Sequence, residues 1–353
     1  MKWKKYLLNG LFLIALIGGT FYFLLRDQEF DMLLKYISEA NALWLFVGLL
    51  LMLVFVSFES IIIHYLMKSL SCAVSFINCL KYSFIGFFVS AITPSATGGQ
   101  PVQMYYMKSD GISLTVSSLV LMVVTVAYKA VLLILAAIML IVNSSFVMAH
   151  IDGIEFIMIF GILVNVIVIG VLLLLIFKQS FAKKIVGNTI LWLGRHGIIK
   201  NYQTKIKKVL ATIAKYDQSA EYLKTHKKII FNVFVITTIQ RIALFAITWA
   251  IYKSFGLSGV SAFEIVTLQL IISLAVDNLP LPGGLGVSEG IFLLFFEEIF
   301  TVKYLTAGLL LSRGFNYYAI IVVGGIVTAV AQLTKKKHTA KYMVESDFQQ
   351  EAK

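Results

Sequence analysis

An all-α integral membrane protein is the predicted fold class: a polytopic helix bundle holding two inverted re-entrant hairpins built from broken helices. Three observations predict it. Hydrophobic residues make up 59% of the 353-residue chain, and several apolar runs exceed the roughly 20 residues that cross a bilayer. The chain has 4 prolines, and all of them fall in two short stretches, 93–101 and 278–290. Positive charge is concentrated between the halves: segment 178–228 carries 11 Lys and 1 Arg against Asp217 and Glu221.

The two proline stretches organise the reading. The first is Thr93-Pro94-Ser95-Ala96-Thr97-Gly98-Gly99-Gln100-Pro101, and the second runs from Asn278 through Pro280, Pro282, Gly283, Gly284 and Gly286 to Gly290. Proline breaks a helix and glycine frees the backbone. In lipid, broken backbone is tolerated only under protein or beside a water-filled cavity. Both stretches therefore read as interruptions at membrane depth, with Pro94, Pro101, Pro280 and Pro282 as hinges.

The elements follow in order. Basic Met1-Lys2-Trp3-Lys4-Lys5 precedes a first span at 6–25 without an A-x-A-like cleavage site, which reads as a retained signal anchor. Segment 26–41 is acidic overall and is placed outside. A second span, 42–66, carries Glu59 and His64 in its inner part. Arms 74–92 and 101–108 flank the first interruption, with Lys68 and Lys81 before it and Lys108 after it, so both ends are expected in the cytoplasm. A long span at 114–142 leads out to the short polar loop Asn143-Ser144-Ser145, and 154–177 returns.

Segment 178–228 is then a cytoplasmic loop by the positive-inside rule, with anionic lipid headgroups as its partners rather than nucleic acid. Its 202–226 portion has helix-like apolar spacing suited to the membrane surface. A span at 229–252 opens the second half. Segment 260–279, the second interruption and arm 291–300 follow. A last span, 303–332, ends inside at Lys335-Lys336-Lys337, within a polar tail at 334–353. Residues 1–333 thus form one transmembrane domain, its halves being 1–177 and 229–333. The hairpins enter from opposite faces, the pattern of inverted-topology repeats whose broken helices build a substrate site near the midplane. Charge bias alone allows each hairpin to be re-entrant or two full spans. Arm 291–300, about 15 Å long as a helix, favours re-entrant. Cys72 and Cys79 have no partners at metal spacing and read as reduced packing residues.

An ionisable residue within a span costs about 2.5–3.5 kcal/mol on insertion scales and marks a functional candidate. Lys129, Arg241, Arg313 and Glu289 qualify; Asn316 and Tyr317 share a helix face with Arg313, while Asp277 and Asn278 precede the second break. The substrate-binding set is Gly98, Gly99, Gln100, Tyr105, Lys129, Arg241, Asn278, Gly283, Gly284, Gly286, Ser288, Glu289, Arg313 and Tyr317. In the functional reading three cations and glycine N–H groups face a cavity for an anionic headgroup. Pro101 is placed at a first helical position, so that two helix N-termini add their dipoles. In the structural reading Glu289 pairs with Arg313 or Arg241 and merely holds the bundle. No catalytic residue, metal or cofactor is assigned: there is no G-x-x-x-x-G-K, no His/Cys cluster, and Gly283-Gly284-Leu285-Gly286 follows no strand.

Thr93-Pro94 to Pro101, Pro280 to Glu289 and Arg313 together resemble the transmembrane region of the lysylphosphatidylglycerol synthase/flippase family, over roughly 5–333. The resemblance implies movement of an amphiphilic, phosphate-bearing and in some members aminoacylated lipid between leaflets. By family naming the alternative is a phosphatidylglycerol lysyltransferase, but the soluble domain that makes the lipid in bifunctional members has no counterpart in 1–353. A further alternative is a non-transporting partner of a lipid-modifying enzyme, and a homo-oligomer is compatible with all three. Two departures stand out: Gln100 occupies a position where many relatives have Glu, and Lys129 one where Arg is common.

Overall fold

The computed structural model describes residues 18–19, 22, 30–178, 188–192 and 219–334. Most of the expected first span, most of the basic loop and the tail after 334 lie outside the described residues. Helices α1 (Phe30–Ser38), α2 (Ala42–Ser69), α3 (Phe76–Ala91), α4 (Gly99–Ser109), α5 (Leu114–Val142) and α6 (Ser144–Ile151) come first. They are followed by α7 (Glu155–Phe177), α8 (Lys227–Ser254), α9 (Ala262–Val276), α10 (Val287–Arg313), a π-helical turn (Gly314–Tyr318) and α11 (Ala319–Leu333). No strand occurs among the described residues. Among the described residues, five helical stretches are long and apolar enough to cross a membrane: α2, α5, α7, α8 and the run 287–333. The chain is accordingly an all-α, multi-pass membrane protein.

Local chemistry sets the boundaries. Asn41, Ser75 and Ser113 each accept the hydrogen bond of a first-turn N–H at the start of α2, α3 and α5, which satisfies donors a helix start leaves free. Ser261 and Glu264 form a capping box before α9. The segment Ser144–Ile151, expected to begin as a loop, is instead helical, because Val147 and Ile151 bury one face four residues apart. Thr301, at φ 59° and ψ 155°, breaks α10. It falls between the expected arm 291–300 and the expected span 303–332.

Packing relates the two halves. The most extensive helix pair joins α2 to α8, the spans that precede the hairpin in each half. Helix α3 packs on α11, and α9 packs on α7 and α5, so the leading arm of each hairpin lies against the closing span of the other half. Small residues permit the closest crossings. A Cβ on Gly324 of α11 would stand 2.7 Å from the Phe84 carbonyl oxygen and 2.7 Å from Phe88 Cβ of α3. Gly324→Val is expected to force these helices apart at a cost of about 1–3 kcal/mol, read as a lower Tm of the detergent-purified protein.

The two interruptions adopt one backbone turn. Thr97 N–H donates to the Pro94 carbonyl and Ala96 N–H to Thr93, at 3.2 Å each; Leu285 donates to Pro282 at 3.1 Å and Gly284 to Leu281 at 3.2 Å. The equivalence is therefore Pro94 with Pro282, Ser95 with Gly283, Ala96 with Gly284 and Gly98 with Gly286. The Gly-Gly pairs are out of register by three residues. Ser95 and Ala96 hold the left-handed conformation at φ 50° and 54°, where the second turn uses Gly283 and Gly284 at 57° and 65°. The turns meet directly: Pro94 and Pro282 form an antiparallel bridge, and Ser95 Oγ donates to the Leu279 carbonyl at 3.1 Å.

A polar knot ties α1 to the Thr301 break. Glu39 accepts from Lys303 Nζ at 2.8 Å and from the Tyr304 hydroxyl at 2.9 Å. The Lys303 hydrogen bond, ahead of that of Tyr304, holds the Glu39 carboxyl below its ordinary range. A depressed carboxylate contributes stability above its ordinary pKa and loses it as pH falls. The protection of amides at 36–41 and 301–304 against exchange, relative to their intrinsic rates at each pH, is therefore expected to fall below about pH 4.

Candidate functional site

The joined turns form one wall of a cavity of about 660 Å³. Its other walls come from α2, α3, α4, α5, α7, α8, α9, α10, the π turn and the start of α11. Of the residues expected at a binding site, Gln100, Lys129, Arg241, Asn278, Gly283, Gly284, Ser288, Arg313 and Tyr317 line it.

Arg313 occupies one end. Its Nε donates to Glu289 Oε1 at 2.6 Å and its Nη2 to the Gly283 carbonyl at 2.9 Å. The guanidinium lies 4.7 Å from the centre of the Tyr317 ring. The Tyr317 hydroxyl donates to the Ala91 carbonyl at 3.0 Å, linking the last span to the first hairpin. Arg313 immediately precedes the π turn, and such wide turns recur at functional sites because they re-aim side chains. Glu289, buried behind Arg313, also accepts the Gly286 N–H at 2.7 Å.

Lys129 and Arg241 occupy the other end. Lys129 Nζ donates to Asn278 Oδ1 at 2.8 Å and to Asn165 Oδ1 at 3.0 Å. The Arg241 guanidinium stacks 3.3 Å from the centre of the Tyr128 ring. Asp277 accepts hydrogen bonds from the hydroxyls of Tyr128 and Ser273. Gln100 donates to Thr125 across the cavity. Four cavity-lining side chains keep a buried polar atom without a hydrogen-bond partner: Arg241 Nε, Asn278 Nδ2, Ser312 Oγ and Asn316 Oδ1. Buried polar atoms are almost always paired, so this concentration marks a place for water or a polar ligand.

Other expected residues stand apart from the cavity. Tyr105 is 51% exposed, with its ring edge-on to Tyr106. Gly98 N–H is held by Thr93 Oγ1 at 3.0 Å, and Gly286 N–H by Glu289. The expectation of free N–H donors at both helix starts is corrected accordingly: side chains of the motifs already cap them. Pro101 is the third residue of α4, not the first; no N–H is needed there either. Gly99 serves close packing instead, since a Cβ there would collide with the Ser90 hydroxyl and the Gly86 carbonyl. Pro94, Pro280 and Pro282 shape the turns without lining the cavity.

Sequence reasoning passed over Tyr128, Asn165 and Gln103, and left Glu59 without a role. Glu59 lines the cavity and accepts from Gln240 Nε2 at 3.0 Å. The rule that selects Lys129, an ionisable group within a span, applies equally to Glu59. Tyr128 carries no such mark, being one aromatic among many in apolar sequence.

The sequence profile of the lysylphosphatidylglycerol synthase TM region matches residues 10–324. A UPF0104 membrane protein of Pyrococcus horikoshii is 24% identical over 335 residues, covering 92% of this chain and 96% of its own. A UPF0104 membrane protein of Archaeoglobus fulgidus is 24% identical over 309 residues, covering 85% and 90%. A match across nine-tenths of the chain leaves one conclusion: this protein belongs to the lysylphosphatidylglycerol synthase transmembrane-region family.

Proposed function

We propose that the protein moves an amphiphilic, phosphate-bearing lipid between the leaflets of the membrane. The observation that supports this most directly is the cavity at the joined turns, which combines Lys129, Arg241 and Arg313 with four unpartnered polar atoms inside an apolar bundle. A soluble ligand would need a water route, whereas a lipid can leave its acyl chains among the exposed apolar faces and insert only its headgroup. Cationic side chains are the natural partners of a phosphate. In this reading the two hairpins are re-entrant from opposite faces, and the halves rock about the Pro94–Pro282 contact. The N-terminus, 178–228 and the C-terminus face the cytoplasm, and 143–153 and 253–260 face outward. The basic loop rests on anionic headgroups.

The test is leaflet-resolved movement of fluorescent lipids in proteoliposomes, across a panel of headgroups. Anionic phospholipids are expected to move faster than in protein-free vesicles. Equal rates across the whole panel would sink the reading. Site-directed labelling of single cysteines tests the topology: labelling within 178–228 from outside intact cells would overturn the inverted arrangement.

A further inference from the structure

Each lipid anion that passes the cavity needs a companion positive charge, because the formal charges of the site's own side chains already balance. Its three cations, Lys129, Arg241 and Arg313, stand against three carboxylates, Glu59, Asp277 and, behind Arg313, Glu289. A phosphate entering this site leaves it one negative charge in excess. An uncompensated charge in a low-dielectric interior is costly and is ordinarily removed by a proton.

The three carboxylates differ in their fitness to take that proton. Glu289 is held by the Arg313 ion pair and the Gly286 N–H, so a proton there would break the pair that orders the site. Asp277 accepts from two hydroxyls, Tyr128 and Ser273. Glu59 accepts only from the neutral amide of Gln240 on Oε2, and its Oε1 takes no hydrogen bond among the described residues. Among the described residues, the titratable and charged groups that line the cavity with Glu59 come from the elements packed on α2. Helix α8 brings Arg241, and α5 brings Tyr128 and Lys129. The π turn brings Tyr317 next to Arg313, and α3 turns uncharged Phe87 and Ser90 to the cavity.

Resting on the transport reading above, we infer that the protein is a proton–lipid symporter in which Glu59 carries one proton with each phosphate-bearing lipid. A hydronium ion on the loading side gives its proton to Glu59 Oε1 as the phosphate reaches Arg313. On the far side the phosphate leaves and Glu59 returns the proton to water. Loaded and empty sites are then both neutral, so both can reorient, and the cycle moves no net charge.

The experiment uses the full chain in phosphatidylcholine vesicles with a trapped pH dye. The probes are fluorescent phosphatidylglycerol, which has no amine, and fluorescent phosphatidylethanolamine, which brings its own cation. Phosphatidylglycerol movement is expected to acidify the receiving compartment, to quicken several-fold down an imposed pH gradient and to ignore a potassium–valinomycin potential. Glu59→Gln is expected to abolish the pH-gradient response, and Glu59→Asp to restore part of it. Phosphatidylglycerol movement without proton flux overturns the inference and leaves the transport reading standing. Movement of phosphatidylethanolamine alone, without protons, also overturns it, making the headgroup amine the companion charge. A Glu59→Gln protein with the wild-type gradient response removes the proton from Glu59. No protein-dependent movement of either lipid overturns the inference together with the transport reading.

Discussion

Gly283→Val is expected to reduce lipid movement by at least about 100-fold, while the protein still inserts and purifies as a monodisperse species. Two effects act at this position. Gly283 sits at φ +57°, where a β-branched residue is strained by roughly 1–3 kcal/mol. A Cβ there would also collide with the Tyr317 ring. That ring cannot move freely, because its hydroxyl is fixed to Ala91 and the Arg313 guanidinium lies over its face. The Gly283 carbonyl is itself a hydrogen-bond partner of Arg313, so the substitution disturbs the turn and the cation together. Gly286→Ala separates the two effects. Gly286 has φ 84° and ψ −56° but open space around its Cβ position, so only strain acts, about 1–3 kcal/mol or roughly ten-fold. Gly290, helical and also in open space, is the control, and Gly290→Ala is expected to leave the rate intact. Transport at the wild-type rate by Gly283→Val would show that the second turn plays no part in the cycle.

The sequence made much of this site legible for one physical reason: lipid makes polar and broken backbone expensive. Lys129, Arg241 and Arg313 stand out in apolar runs because each must find a partner, and the structure brings them to one cavity. The prolines located both turns. What the sequence does not mark is the register between the turns. Two Gly-Gly pairs invite superposition, yet the backbone equates Gly98 with Gly286 and puts Ser95 and Ala96 in the left-handed positions. A left-handed residue need not be glycine when neighbouring contacts hold it, as Ser95 is held to Leu279. Tyr128 was invisible because its importance is relational: only the fold stacks it on Arg241 and aims it at Asp277. The short helix α6 and the knot at Glu39 depended likewise on distant partners, Phe295 beside His150 and Lys303 beside Glu39.

Arg313→Ala is expected to weaken binding of an anionic lipid by roughly 10- to 100-fold, the loss of a charge-assisted hydrogen bond worth about 1.5–3 kcal/mol. The argument rests on competition. Arg313 now spends Nε on Glu289 and Nη2 on the Gly283 carbonyl, leaving part of its donor fork for a ligand. A phosphate that takes the remaining fork competes with Glu289 and stretches that contact without breaking it, and the carboxylate must draw Arg313 back for the lipid to leave. Arg313→Lys is then expected to restore only part of the affinity, because an ammonium lacks the planar fork that matches phosphate. Glu289→Gln is expected to act in the opposite direction. It removes the competing charge, so affinity holds or rises, while release slows and the transport rate falls. The amide can also no longer hold the Gly286 N–H as tightly as a carboxylate does, which adds to the fall in rate but not to the rise in affinity. Lipid affinity by equilibrium binding and transport rate in vesicles, measured separately for the three variants, resolve this. A pair that only held the bundle together would give equal losses of folded protein from Arg313→Ala and Glu289→Gln, with affinity unchanged in whatever folds. Opposite shifts in affinity from the two halves of one ion pair have no such origin, since a structural pair loses the same contact whichever partner is removed.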